Sequence, residues 1–380
     1  MEKSLKLLDE KQGDMLSFLE KLVNIDSGID NPEGIKQCAN LVGKKLQEIG
    51  FNVEYLDHPG VCTHVVAKKA GSSDRNVMLT GHLDTVFLRG TASLRPFQIQ
   101  GDRAFGPGVA DMKGGIAMAL FGLQCLYESG WNEKNMTVVI CGDEETGHPD
   151  TNATEIFLQE GRGQHGVFCL EPGRPDGEVV IGRKGVIIPE MFIKGRSAHA
   201  MEPHKGASAI GEMAHKINAI YALQDVEKGI LCNVGVAKGG TGASVVAEDA
   251  YLRFSIRFDT LAEGNRIMGE LEKNAAISHV SGTVTTMKNN RFMYMPFETT
   301  DSVKKLLALA QQKASQLGID KLDGLFQAGG SDACWTAISG SPTLDGMGPI
   351  GGFIHNEREY ITLSGLQERG KLLALCIAGV

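Results

Sequence analysis

Six residues able to bind a cation or carry a proton stand where predicted strands end or glycine-rich loops begin. They are His82 in Leu79–Val86, Asp111 in Gly106–Gly115, the adjacent Glu144 and Glu145 in Cys141–Gly147, Glu171 in Cys169–Gly173, and His355 near the C-terminus. An aspartate able to bridge, flanked on each side by a histidine and a carboxylate, is a donor set that holds two divalent ions side by side. A spare glutamate is then left to handle a proton. These residue types point to hydrolytic chemistry.

Each site has a plainer reading to set beside the chemical one. His82 and Asp84 are two apart at a strand end, so both face the same way. A carboxylate beside a metal-binding histidine orients the imidazole through its other nitrogen; the alternative is a polar strand end. Asp111 lies between Gly106, Gly108, Gly114 and Gly115. Aspartate takes the position where a G-x-G-x-x-G loop needs its third glycine, which favours a cation over a phosphate. Glu144 and Glu145 follow the apolar run Met136–Cys141. On an extended backbone only one of them points at a given ion, and a solvated turn is the bland reading. Glu171 ends the strand Gly166–Leu170, at the sheet rim where open α/β folds build sites. His148 lies close to the glutamate pair, and Gly329–Asp332 reads as a helix N-cap at a substrate loop.

The elements that must hold these residues alternate between strand and helix. Helices are predicted over 4–23, 31–49, from Gly114, and at 153–160. Strands are predicted at 51–56, 63–68, 76–83, 136–141, 166–170 and 178–181, giving an α/β sheet covered on both faces. From about 186 the order becomes β-α-β-β-α-β: strand 187–194, helix 207–223, strands 231–237 and 250–259, helix 262–278 and strand 283–287. Helices over 301–317 and from Ser364 then return to the first pattern. The expectation is a catalytic domain of residues 1–183 and 292–380, interrupted by a ferredoxin-like domain of residues 184–291.

Composition sets outer bounds. A chain of 380 residues with 42% hydrophobic and 22% charged residues is an ordinary folded protein of about two domains. Its net charge of −8, without runs of either sign, argues against nucleic acid and anionic membrane as partners. No segment reaches the roughly 18 consecutive apolar residues of a membrane span. The charged N-terminal stretch lacks a secretion signal, and the eight cysteines form no C-x-x-C pair, so a cytoplasmic protein with reduced thiols is expected.

Taken together, these segments resemble the M20 family of metallopeptidases, and within it the glutamate carboxypeptidase branch. The motifs that carry the likeness are G-H-L-D-T-V, G-P-G-V-A-D-M-K-G-G, D-E-E-T-G, E-P, G-R-K-G, S-A-H-A, G-G-S-D and the late His355. The resemblance implies a zinc-exopeptidase-like fold with an inserted lid and dimerisation domain. It implies two divalent ions, zinc before cobalt or manganese. His82 and Glu171 would hold one, Glu145 and His355 the other, and Asp111 both. By the same likeness Asp84 would buttress His82 and Glu144 would be the general base. His199 would polarise the scissile carbonyl, often from across a dimer, and Arg257 would grip a substrate carboxylate. Ser244 stands where the family pattern has asparagine, and loops around Arg291 and Ser331 would tune specificity. The implied activity is hydrolysis of peptidyl or N-acyl amino acids. The competing activity is an N-acetyl or N-succinyl amino-acid deacylase on the same scaffold. A scaffold protein without turnover would not need all six metal and base positions filled. A cysteine hydrolase using Cys141 or Cys169 would need a paired base.

Overall fold

The computed structural model describes residues 1–380. The chain forms two compact units: Met1–Gly182 with Thr299–Phe326 and Ser331–Val380, and Arg183–Glu298 with Gln327–Gly330. The second unit therefore runs past the expected end at residue 291. The cause is an unpredicted strand, Phe292–Tyr294, which pairs with Gly185–Ile187 and sets the Phe292 ring against Phe258 at 5.6 Å.

The first unit is built on a six-stranded sheet in the order 52–58, 62–69, 135–141, 76–82, 166–169, 343–344. Its first two pairings are antiparallel and the other three parallel. In the parallel part, His82 is in register with Cys141, and Thr80 with Cys169. Three strands thus finish at one edge of the sheet, and the residues that follow them emerge together. The expected strand at 178–181 forms outside this sheet, as Val179–Arg183 paired with Gly324–Gln327.

Helix Pro32–Ile49 covers one face, with proline in its first turn, the Asn31 side chain accepting from Gly34 N–H at 3.3 Å, and left-handed Gly50 ending it. The helix predicted over 4–23 is two, Glu2–Glu10 and Gln12–Val23, divided at Lys11. Helix Gly114–Glu128 is apolar on nearly every side because it lies inside the unit, against the C-terminal helix Leu363–Gly379. Together with the preceding turn, the helical stretch Val109–Glu128 is long and apolar enough on average to cross a membrane, yet 94% of its most apolar 18-residue window is buried within the protein. Gly115 is required there: a Cβ on it would meet the Leu170 carbonyl oxygen at 2.1 Å. That close approach seats the helix start against the strand end that leads into Glu171.

The second unit carries a sheet in the order 284–288, 190–194, 249–258, 185–187, 292–294, with 231–239 also paired to 249–258. Helices Ala209–Tyr221 and Leu261–Ala276 supply its helical layer. Ile187, Met191, Leu252, Phe254, Ile256, Phe258, Ile267 and Leu271 form its core. The single strand expected at 187–194 is interrupted at Pro189, which has no N–H to give a ladder.

Candidate metal centre

The shared sheet edge brings the first unit's chemistry together. His82 is the last residue of its strand, Glu144 and Glu145 lie in a short 3-10 turn after Cys141, and Glu171 follows Cys169 by two. Asp111 sits in the irregular turn Val109–Lys113, entered through left-handed Gly108. His355 itself has a φ of 60°, a left-handed conformation uncommon for residues with a side chain. The glutamate pair lies in its 3-10 turn and not on an extended backbone, so its two side chains are not forced to opposite sides as neighbours on a strand are.

Two groups of donors result, and they meet at one residue. His82, Asp111 and Glu171 form the first group, and Asp111, Glu145 and His355 the second. His82 Nε2 lies 3.0 Å from Asp111 Oδ1 and 3.7 Å from Glu171 Oε1. His355 Nε2 lies 3.2 Å from Asp111 Oδ2 and 3.2 Å from Glu145 Oε2. The two oxygens of Asp111 therefore face different groups.

Asp84 is fully buried, and its role differs in detail from the expected one. The Asp84 main-chain carbonyl lies 3.0 Å from His82 Nδ1, closer than its carboxylate at 3.4 Å. The carboxylate instead accepts the N–H of Glu144 at 3.1 Å and of Glu145 at 2.9 Å, which holds their turn.

Electrostatics make this a place for cations. Burial pushes the Glu144 and Glu171 carboxyls well above the usual range and raises Glu145 as well. Burial also opposes charge on Asp111, but hydrogen bonds with His355 and His82 outweigh it and hold that carboxyl low. Hydrogen bonds to Asp111 and Glu145 lift His355 to about 10. Glu145 Oε1 is buried with no hydrogen-bond partner. An orphaned carboxylate oxygen among crowded acids and imidazoles is a donor set suited to divalent ions, which would keep the acids ionised.

A further residue in this unit escaped sequence reasoning. Glu359, 1% exposed, accepts the N–H groups of Ala110 at 2.8 Å, Asp111 at 3.0 Å and Gly108 at 3.3 Å. It fixes the backbone of the Asp111 loop, and burial raises its carboxyl to about 8. Its only sequence signal was its place four residues after His355, inside a charged stretch that reads as solvated surface.

The remaining predicted residues belong to the second unit. His199 forms a bridge with Val245, and the Ala200 N–H donates to the Ser244 carbonyl at 3.0 Å, so His199 and Ser244 lie on paired loops. Arg257 lies on the strand Asp249–Phe258 and donates to the Ala328 carbonyl. Arg291 is exposed just before the added strand.

All eight cysteines are free and buried. Burial, reinforced by the neighbouring Asp332 carboxylate, pushes the Cys141 thiol well above its ordinary value, and burial does the same to Cys169. Neither is an activated nucleophile.

His64, buried beside this edge, accepts the Gly142 N–H at 3.1 Å through Nδ1, and burial lowers its pKa to about 4. The unfolded chain takes up this proton below about pH 6.5, whereas the fold resists until about 4. Stability is therefore lost as pH falls through that window, by about 3 kcal/mol at its lower end. Denaturant unfolding of His64→Gln at pH 6.5 and pH 4 is expected to lose less stability between the two than the parent. Equal losses would remove His64 from the account.

A model of peptidase family M20/M25/M40 matches residues 78–378, most of the chain. The protein belongs to that family. It is 28% identical over 369 residues to carboxypeptidase G2 of Pseudomonas sp., covering 95% of this chain and 88% of that one. It is also 29% identical over 258 residues to a succinyl-diaminopimelate desuccinylase of Methylocella silvestris, covering 62% and 66% respectively. The M20 chain shares its fold with aminopeptidase PepT of Bacillus cereus, at a TM-score of 0.78 and 22% identity over 96% of this chain and 98% of the other. This M20 protein is thus a metal-dependent hydrolase of peptide or amide bonds with the α/β fold of its family.

Proposed function

We propose that this M20 protein is a two-zinc carboxypeptidase that cleaves the amide bond of peptidyl or N-acyl amino acids with a free carboxylate, glutamate foremost. The observation that carries the reading is the pair of donor groups that meet at Asp111, one oxygen facing each. His82 and Glu171 would hold one ion, Glu145 and His355 the other, and Asp111 both. Zinc in such a site supplies Lewis-acid polarisation of a carbonyl and acidifies water.

The chain's own residues account for the rest. Glu144, buried and raised in basicity, takes a proton from the attacking water and passes it to the leaving nitrogen. Water is consumed, the C–N bond breaks, and an acid and an amine are released. His199 donates to the oxyanion that develops on the carbonyl oxygen. Arg257 pairs with the substrate carboxylate, and Ser244 and Arg291 shape the leaving-group side. A homodimer formed through the second unit and a cytoplasmic location complete the proposal.

The likeness to carboxypeptidase G2 along 95% of the chain favours removal of a C-terminal amino acid, and the motif resemblance to the glutamate carboxypeptidase branch favours glutamate as that residue. The likeness to a desuccinylase keeps a second reading open, in which an N-succinyl or N-acetyl amino acid is deacylated. Purified protein loaded with zinc should release glutamate from acyl-glutamates at least tenfold faster, by kcat/KM, than it frees succinate or acetate. The reverse ranking would replace the carboxypeptidase reading with the deacylase one.

A further inference from the structure

Behind the Glu144–Glu145 turn lies a buried chain of side chains that the proposed chemistry does not use. His148 Nδ1 is 2.7 Å from Asp143 Oδ1, and His148 Nε2 is 2.6 Å from Asp332 Oδ1. The other oxygen of Asp332 accepts the Cys141 thiol at 3.0 Å, and the other oxygen of Asp143 accepts the Thr151 hydroxyl at 2.7 Å. Asp143, His148 and Asp332 are each under 5% exposed.

The topology of these bonds is informative. Cys141 is the last residue of the strand entering the turn, and His148 is the first side chain beyond Gly147 on leaving it. A single carboxylate, Asp332, therefore pins both the entry and the exit of the segment 142–148. Within it, Gly147 N–H donates to the Glu144 carbonyl at 2.8 Å. His148 is held at a φ of 56°, a left-handed conformation costly for a residue with a side chain. An imidazole between two carboxylates donates from both nitrogens, which makes it an imidazolium. On the opposite side, the Asp84 carboxylate takes the N–H groups of Glu144 and Glu145. The turn is gripped from two directions.

We propose that Asp143, His148 and Asp332 form a buried clamp that sets where Glu144 and Glu145 stand. His148 and Asp332 then act as positioning residues for the base and for its neighbouring metal ligand. This inference rests on the roles proposed above for Glu144 and Glu145. Cys141, His148 and Asp332 also have donor atoms within 4.8 Å of one another, the spacing of a metal site. Those atoms bond to one another here, and zinc counting on the variants separates a clamp from an ion site.

The test uses Asp332→Asn and His148→Gln in the full chain, which keep side-chain size, with thermal unfolding to establish folding. Both variants are expected to lower kcat on an acyl-glutamate at least tenfold with KM within threefold. Loaded with cobalt, both should also show a visible spectrum shifted from the parent, because Glu145 rides on the same turn. A residue that only stabilises the fold would lower the unfolding temperature and leave kcat and the cobalt spectrum unchanged. That result in either folded variant overturns the clamp, as does loss of an additional bound zinc on Asp332→Asn, which would mark a metal site. Glu144→Gln measured alongside separates the two ideas. Should it keep its turnover, the base assignment fails, while the cobalt spectra of the clamp variants still report on the turn.

Discussion

Replacing Glu144 with glutamine is expected to lower kcat by about a thousandfold while metal content and KM stay near those of the parent. The change keeps the size of the side chain and removes only its ability to take and return a proton. Glu144 belongs to neither donor group at Asp111, so no ion is lost with it. The turn also survives, because Asp84 grips main-chain N–H groups that the substitution leaves in place. A thousandfold loss corresponds to about 4 kcal/mol of transition-state stabilisation. Steady-state kinetics on an acyl-glutamate, with zinc counted in the same preparation, checks both halves. Turnover within tenfold of the parent would remove Glu144 from its role.

The second large effect is expected at Asp111. Alanine there deletes an oxygen from each donor group at once, so zinc binding should collapse at both positions and turnover fall to background. Stability supplies an independent readout. Each ion bound only by the fold adds about 4 kcal/mol at a thousandfold excess over its dissociation constant. Zinc should therefore raise the unfolding temperature of the parent strongly and that of Asp111→Ala hardly at all. An equal rise in both proteins would show that the ions bind elsewhere.

The donors were legible in the sequence because acids and imidazoles recur where apolar runs end or glycine-rich loops begin, in motifs that together resemble those of the M20 family. Sheet register then brought them together: three strands finishing at one edge needed no detail beyond their apolar runs. What stayed hidden was set by distant packing. Glu359 reaches the Asp111 loop from 248 residues away, and nothing near it in the chain distinguishes it from exposed charge. Asp332 read as a helix cap, yet it makes no capping bond with its side chain, which turns to His148 and Cys141 instead. Asp84 read as the partner of His82, while its carboxylate chiefly holds the glutamate turn. In the second unit, the missing N–H of Pro189 separates two strands where one was expected, and Phe292–Tyr294 is a strand through its pairing with the distant Gly185–Ile187.

Titration of zinc into the chelated apo-protein, followed by calorimetry and by metal counting, bears most directly on the shared Asp111. The expected result is two ions per chain for the parent, one each for His82→Ala and His355→Ala, and none for Asp111→Ala. A parent that saturates at one ion, or an Asp111→Ala protein that still binds two, would contradict the account.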